Sequence, residues 1–101
     1  MRQPFLPSGN TVTVSATSVT SAAAVGAGSL SATRVVRVAA PASNGAIAFV
    51  EFGASTVTAT TAKMPVLPGT VEIFYVGGKT HIAAITASGA ATLYVTPGEG
   101  A

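Results

Sequence analysis

The sequence predicts an all-β fold: a single antiparallel β-sandwich or jelly-roll-like domain of about seven to eight short strands, preceded by an extended N-terminal arm. Three observations predict it. Val and Thr, whose branching at Cβ restricts them in helices and suits a pleated sheet, dominate the chain. Turn-forming pairs recur at short intervals: Asn44-Gly45, Pro68-Gly69, Gly77-Gly78 and Ser88-Gly89. The only helix-like composition, SAAAVGAGSL from Ser21 to Leu30, is interrupted by Gly26 and Gly28, so strand and loop are expected there instead. At 101 residues one core is expected, with residues 1–10 as the arm and 11–101 as the sandwich domain.

In chain order, MRQPFLPSGN comes first. Pro4 and Pro7 favour an extended backbone, and Phe5 and Leu6 are large apolar groups that such an arm has no obvious means of burying by itself. Arg2, Phe5 and Leu6 are therefore the candidate contacts to a neighbouring subunit. The prolines also occupy the place of a signal peptide's apolar run, so a soluble, cytosolically made protein is expected, with no membrane partner. TVTVSATSV (Thr11 to Val19) alternates: Val12, Val14 and Ala16 point one way, Thr11, Thr13 and Ser15 the other, as in a half-buried strand. TRVVRVA (Thr33 to Ala39), GAIAFVEF (Gly45 to Phe52) and TVEIFYV (Thr70 to Val76) are apolar on both faces at most positions, which suits strands inside a sandwich or under a partner. Asn44-Gly45 offers a type I′ hairpin turn and Pro68-Gly69 a type II turn. THIAAITASGAATLYVTPGEGA, from Thr80 onward, is expected to form the last hairpin. Its turn would lie at Ser88-Gly89, its second strand (ATLYVT) would alternate again, and TPGEGA would be a short flexible end.

Only 8% of residues are charged, against roughly a quarter in ordinary domains, and there is no Asp. A surface of hydroxyls and alanines has little charge to keep copies apart, which points to assembly with other subunits. The net charge of +2 comes from Arg2, Arg34, Arg37, Lys63 and Lys79 against Glu51, Glu72 and Glu99. These cations are scattered without interleaved aromatics, which argues against specific nucleic-acid binding. The absence of cysteine removes disulfides, thiolate metal sites and cysteine nucleophiles.

The remaining chemical candidates are few. His81, the single histidine, lacks Cys, Asp or a second His as a metal co-ligand, and no serine sits in a Gly-x-Ser-x-Gly elbow that would make it a triad base. It is expected to be a partly buried or edge histidine. Glu51 and Glu72 are the only conceivable glycosidase pair; each lies among apolar strand residues and is expected either to face solvent or to pair with Arg34 or Arg37 on an adjacent strand. Phe74, Tyr75 and Tyr94 are the aromatics of a possible sugar-binding face, although strand aromatics at this density are usually core. No catalytic, cofactor-binding or metal residues are assigned, no cofactor is implied, and the chain is expected not to be an enzyme.

The run FGASTVTATTAKMPVLPGTVEIFYVGGKTHIAAITASGAATLYVTPGEG (Phe52 to Gly100), with its MPVLPGTVEIF centre and ATLYVTPGEG close, resembles the small β-sandwich structural proteins of tailed bacteriophage virions. The resemblance implies a non-enzymatic decoration or cement protein on the capsid surface, made in the host cytoplasm. Its partners would be the major capsid protein and copies of itself, a cyclic trimer matching the symmetry of such a lattice. A neck, tail or fibre component is the alternative within the virion. A carbohydrate-binding module contacting host-surface glycans is the alternative from another class.

Overall fold

The computed structural model of the chain describes residues 5–7, 9–19, 21–24 and 34–99. Nine strands run in order: β1 (Leu6–Pro7), β2 (Val12–Ala16), β3 (Ser21–Ala24), β4 (Arg34–Ala39), β5 (Ala48–Gly53), β6 (Met64–Val66), β7 (Val71–Tyr75), β8 (His81–Thr86) and β9 (Ala91–Glu99). The Ala-rich stretch thus begins as strand β3, while its remainder, residues 25–30, lies outside the described residues, as do residues 31–33 and Arg2. No helix is present among the described residues.

All pairing is antiparallel and forms two sheets. One has the order β2–β9–β4–β7, with β1 also on β9; the other has the order β3–β8–β5–β6. The pairs β2·β9, β3·β8, β4·β7 and β5·β6 are nested, as though one long ribbon with β5 and β6 at its tip had been rolled up. Rolling then adds the pairs β4·β9 and β5·β8. Between the alternatives that periodicity leaves open, this nesting selects the jelly roll.

The alternation in β2 and β9 is as expected. Val14, Ala16, Ala91, Leu93 and Val95 are buried, while Thr13, Ser15 and Tyr94 face out. Val36 and Val38 of β4, Val50 of β5, Val66 of β6 and Ile82 of β8 complete the core between the sheets. It is built from small side chains. Phe52 and Phe74 meet at its margin, ring centroids 5.3 Å apart and tilted by 49°, a geometry that suits aromatic quadrupoles.

The turns depart from expectation in an informative way. Pro68-Gly69 makes the expected type II turn: Gly69 has φ +78° and the Thr70 N–H donates to the Leu67 carbonyl at 3.2 Å. Asn44-Gly45 is not a hairpin turn, because neither residue has positive φ and the chain there passes from β4 in one sheet to β5 in the other. The Asn44 side chain instead imitates a strand neighbour: Nδ2 donates to the Thr92 carbonyl at 2.9 Å and Oδ1 accepts the Thr92 N–H at 3.0 Å. Gly77-Gly78 and Ser88-Gly89 likewise join strands of different sheets, so the expected terminal hairpin is an inter-sheet arch. Its buried Thr86 hydroxyl donates to the Gly89 carbonyl at 2.7 Å, and the Thr86 N–H donates to Thr17 in the neighbouring arch at 2.8 Å. The expected flexible end, TPGEGA, is corrected over its first four residues, since β9 continues through Thr96, Pro97, Gly98 and Glu99; residues 100 and 101 lie outside the described residues.

That extension binds the arm. Leu6 and Pro7 pair with Glu99 and Gly98, whereas β2 pairs with β9 only up to Val95. The sequence therefore has more positions between Pro7 and Val12 than β9 has between Gly98 and Val95, and this bulge coincides with Pro97, which has no N–H to offer. A Cβ at Gly98 would fall 2.6 Å from the Phe5 ring and against the Leu6 carbonyl, so only glycine admits the arm here. The half-buried Phe5 is thereby covered within its own chain, contrary to the expectation that the arm has no means of burying it. Leu6 remains 63% exposed.

Two substitutions test this account. Asn44→Ala should leave the Thr92 carbonyl and N–H without their partner and cost about 1–3 kcal/mol in urea unfolding. Leu93→Ala should cost about 2–5 kcal/mol in the same measurement by opening a cavity in the core, where Leu93 is fully buried.

Candidate docking face

Strand alternation sets what the outer side of the β2–β9–β4–β7 sheet presents. On β4 the inward Val36 and Val38 leave Val35, Arg37 and Ala39 outward; their partners on β7 are Tyr75, Ile73 and Val71, and those on β9 are Gly98, Thr96 and Tyr94. Beyond β9 lie Thr13 and Ser15, and Thr11 shares a 2.7 Å hydroxyl bond with Thr96. Tyr75 is 69% exposed, Val71 47%, Tyr94 43% and Ile73 41%. The tyrosines are thus surface residues and not core as expected, while Phe74, on the other side of β7, packs on the core. Large apolar side chains side by side on an outer face are the unusual observation in a small domain.

Electrostatically this face is simple. Arg37 is exposed near its middle, between Ile73 and Thr96, and no acidic residue shares the face among the described side chains. Val35 is buried although it points outward, lying between Tyr75 and the Gly98 position covered by Phe5. The arm thus forms one margin of the face through Phe5, while Leu6, paired with Glu99, alternates to the other side of the sheet, where it is exposed. Of the three arm residues expected to make contacts, the structure places Phe5 at this face.

The other candidates are dispersed. Glu72 lies opposite Val38 on the inner side of β7, and Arg37 lies opposite Ile73, so alternation puts the two on different sides of the sheet and the expected pairing with Arg37 is absent, while the Arg34 side chain lies outside the described residues. Glu51 is in the other sheet and pairs with Lys63 at 3.2 Å. Arg34 and Arg37 are on β4, so neither is a cross-strand neighbour of Glu51. The two glutamates therefore do not form facing carboxylates. Nδ1 of the half-buried His81 shares a 2.8 Å bond with the Thr80 hydroxyl. No group of three or more potential metal ligands exists among the described residues. A shallow groove of about 280 Å³ lies between the arches at Gly45, Ile47, Phe49 and Ser88 and offers no ionisable side chain.

The Lys63 ammonium, hydrogen-bonded to the Glu51 carboxylate, holds that group below its ordinary value of 4.5; burial opposes the shift, and the Phe52 N–H and Lys79 add to it. A depressed carboxylate contributes stability that is present above its unfolded value and lost as pH falls through the folded one. Because the pair is solvent-exposed the effect should be small: melting temperatures of wild type and Glu51→Gln should differ slightly at neutral pH and low salt and converge in acid. Compared with known proteins, the chain matches no protein-family model, no curated protein sequence and no solved structure.

Proposed function

We propose that this protein is a non-enzymatic structural component of a tailed-phage virion, a decoration or cement protein that lies flat on the capsid surface through the outer face of the β2–β9–β4–β7 sheet. The observation that carries the docking part of this reading is the exposed Val71, Ile73, Tyr75 and Tyr94 around Arg37. Tyrosine and arginine surrounded by apolar contacts are the composition of binding hot spots. The virion part is supported by the resemblance over Phe52 to Gly100. It is further supported, as fold-level analogy, by the recurrence of jelly rolls in viral capsid proteins. A head lattice rewards such a module because many weak copies act together. A site at the neck, tail or fibre would use the same face with fewer copies.

A second reading has its own observation: two exposed tyrosine rings and a row of hydroxyls on one face also suit stacking on sugar rings. Glycan-dependent retention on host cells, lost in Tyr75→Ala or Tyr94→Ala, would favour it.

The test of the main reading is the number of copies per purified particle and their position by cryo-electron microscopy. Decoration predicts many copies across the head. A few copies at one vertex would move the assignment to the neck or tail, and absence from particles would overturn it. Tyr94→Ala should weaken rebinding to stripped heads about 30-fold, the size of a hot-spot loss near 2 kcal/mol.

A further inference from the structure

The two sheets have four lateral edges, and three carry features that discourage pairing. On the β1/β2 side, Pro7 and the bulge opposite Pro97 interrupt the ladder. β6 has three residues with Pro65 in the middle, and β3 has four, three of them alanine. Natural sheets use short strands, prolines and bulges in this way to prevent edge-to-edge association. β7 does not. Its five residues, Val-Glu-Ile-Phe-Tyr, contain no proline or glycine, pair with β4 alone among the described residues, and combine β-branched and aromatic side chains.

We infer that β7 is an assembly edge, and that its occupant is β7 of a second copy of this chain, added antiparallel about a two-fold axis through Ile73. In that register Ile73 faces Ile73 of the second copy, and Val71 faces Tyr75 twice over, an aromatic and β-branched pairing that stabilises sheets. Glu72 lies opposite Phe74. Sliding the copies to bring Glu72 opposite Glu72 is penalised by like charge, and a slip of one residue would turn the outer faces to opposite sides. The same charge logic excludes the competing self-contact, outer face on outer face, because it would bring two Arg37 guanidiniums into a dry interface without an acid.

The area of the face favours the same occupant. Four strands about 4.8 Å apart and about 17 Å long present only about 300 Å² of planar face, against roughly 800 Å² per partner in a standard interface. Edge pairing about an axis perpendicular to the sheet places two faces side by side, both directed at the same support. This area argument rests on the docking reading; the chemistry of the edge does not, and the experiment uses the isolated chain without any virion.

The chain has no cysteine, so single cysteines report geometry directly. Directly opposed residues of an antiparallel pair have Cα atoms about 4.5–5.5 Å apart, within disulfide range. Ile73→Cys should therefore oxidise largely to a covalent dimer. Val71→Cys should remain monomeric on a non-reducing gel, since its own counterpart lies four positions away, about 13 Å along the strand. Wild type should sediment at twice the chain mass, and Ile73→Lys, at an exposed position, should halve it. A monomeric wild type overturns the inference whatever the variants do. Cross-linking through Val71→Cys as readily as through Ile73→Cys overturns the register, and preferential cross-linking through Tyr94→Cys replaces edge pairing by face stacking.

Discussion

The fold depends on β9. It takes part in three of the four strand pairs of its sheet among the described residues, with β2 and β1 along one flank and β4 along the other, and it supplies Leu93, Val95 and Pro97 to the interior. Without it the first sheet is reduced to the single pair β4·β7. The ladder joining β2 to β9 pairs Val12 with Val95 and Ala16 with Ala91, residues far apart in the sequence. The loop-closure entropy of that ladder has to be met by a core of small side chains. The polar clamps fall where they offset this cost. Asn44 fixes the β4–β5 arch to the first turn of backbone in β9, and Thr86 ties the arch that delivers β9 to the one that leaves β2. Both act on buried or half-buried backbone, where an unmade hydrogen bond costs most.

Seen this way, the small core and the exposed apolar face belong to one arrangement. Valine and alanine, with Ile82 and Leu93, fill the space between the sheets, and the aromatic side chains are displaced to the margin, as with Phe52 and Phe74, or to the outside, as with Tyr75 and Tyr94. The same alternation that turns Val36 and Val38 inward turns Arg37 outward among them. A substitution on the outer face therefore leaves the core contacts untouched, and binding through that face can be altered separately from stability.

Much of the strand content was legible in the sequence. Val12, Val14 and Ala16 against Thr13 and Ser15, and Leu93 and Val95 against Tyr94, gave position and facing correctly, because period-two alternation is written in each strand alone. Partners were not legible. Ser88-Gly89 and Asn44-Gly45 carry the local chemistry of a reversal, but whether the chain turns back beside its own strand or crosses to the other sheet is decided by which faces are buried across the whole roll. Asn44 shows the difference: its side chain serves a residue 48 positions away, and no local window contains that information. Tyr75 lies in a run that is apolar on both faces at most positions, so no local pattern gives its side; only the register, which places it beside the outward Val35, reveals it as surface. Gly98 is a similar case. A glycine near the chain's end suggests a loose terminus, whereas here its missing side chain is what lets Phe5 and the arm lie against the sheet.

The arm's position bears on how the face could be regulated by its own chain. Phe5 covers Gly98 beside Val35, so the arm closes one margin of the outer face while β7 forms the opposite margin. Its hold is slight: two residues of ladder and one half-buried ring, next to a bulge that already interrupts pairing. Local opening free energies follow the number of buried apolar contacts and protected hydrogen bonds, so this segment belongs to the low-stability end of the molecule while β9 beneath it belongs to the high end. A partner reaching Val35 would have to displace only the arm and not the sheet. The exposed Leu6 and the covered Phe5 are thus two parts of one hydrophobic arm, one available to a neighbour as the structure stands, the other available only after the arm lifts.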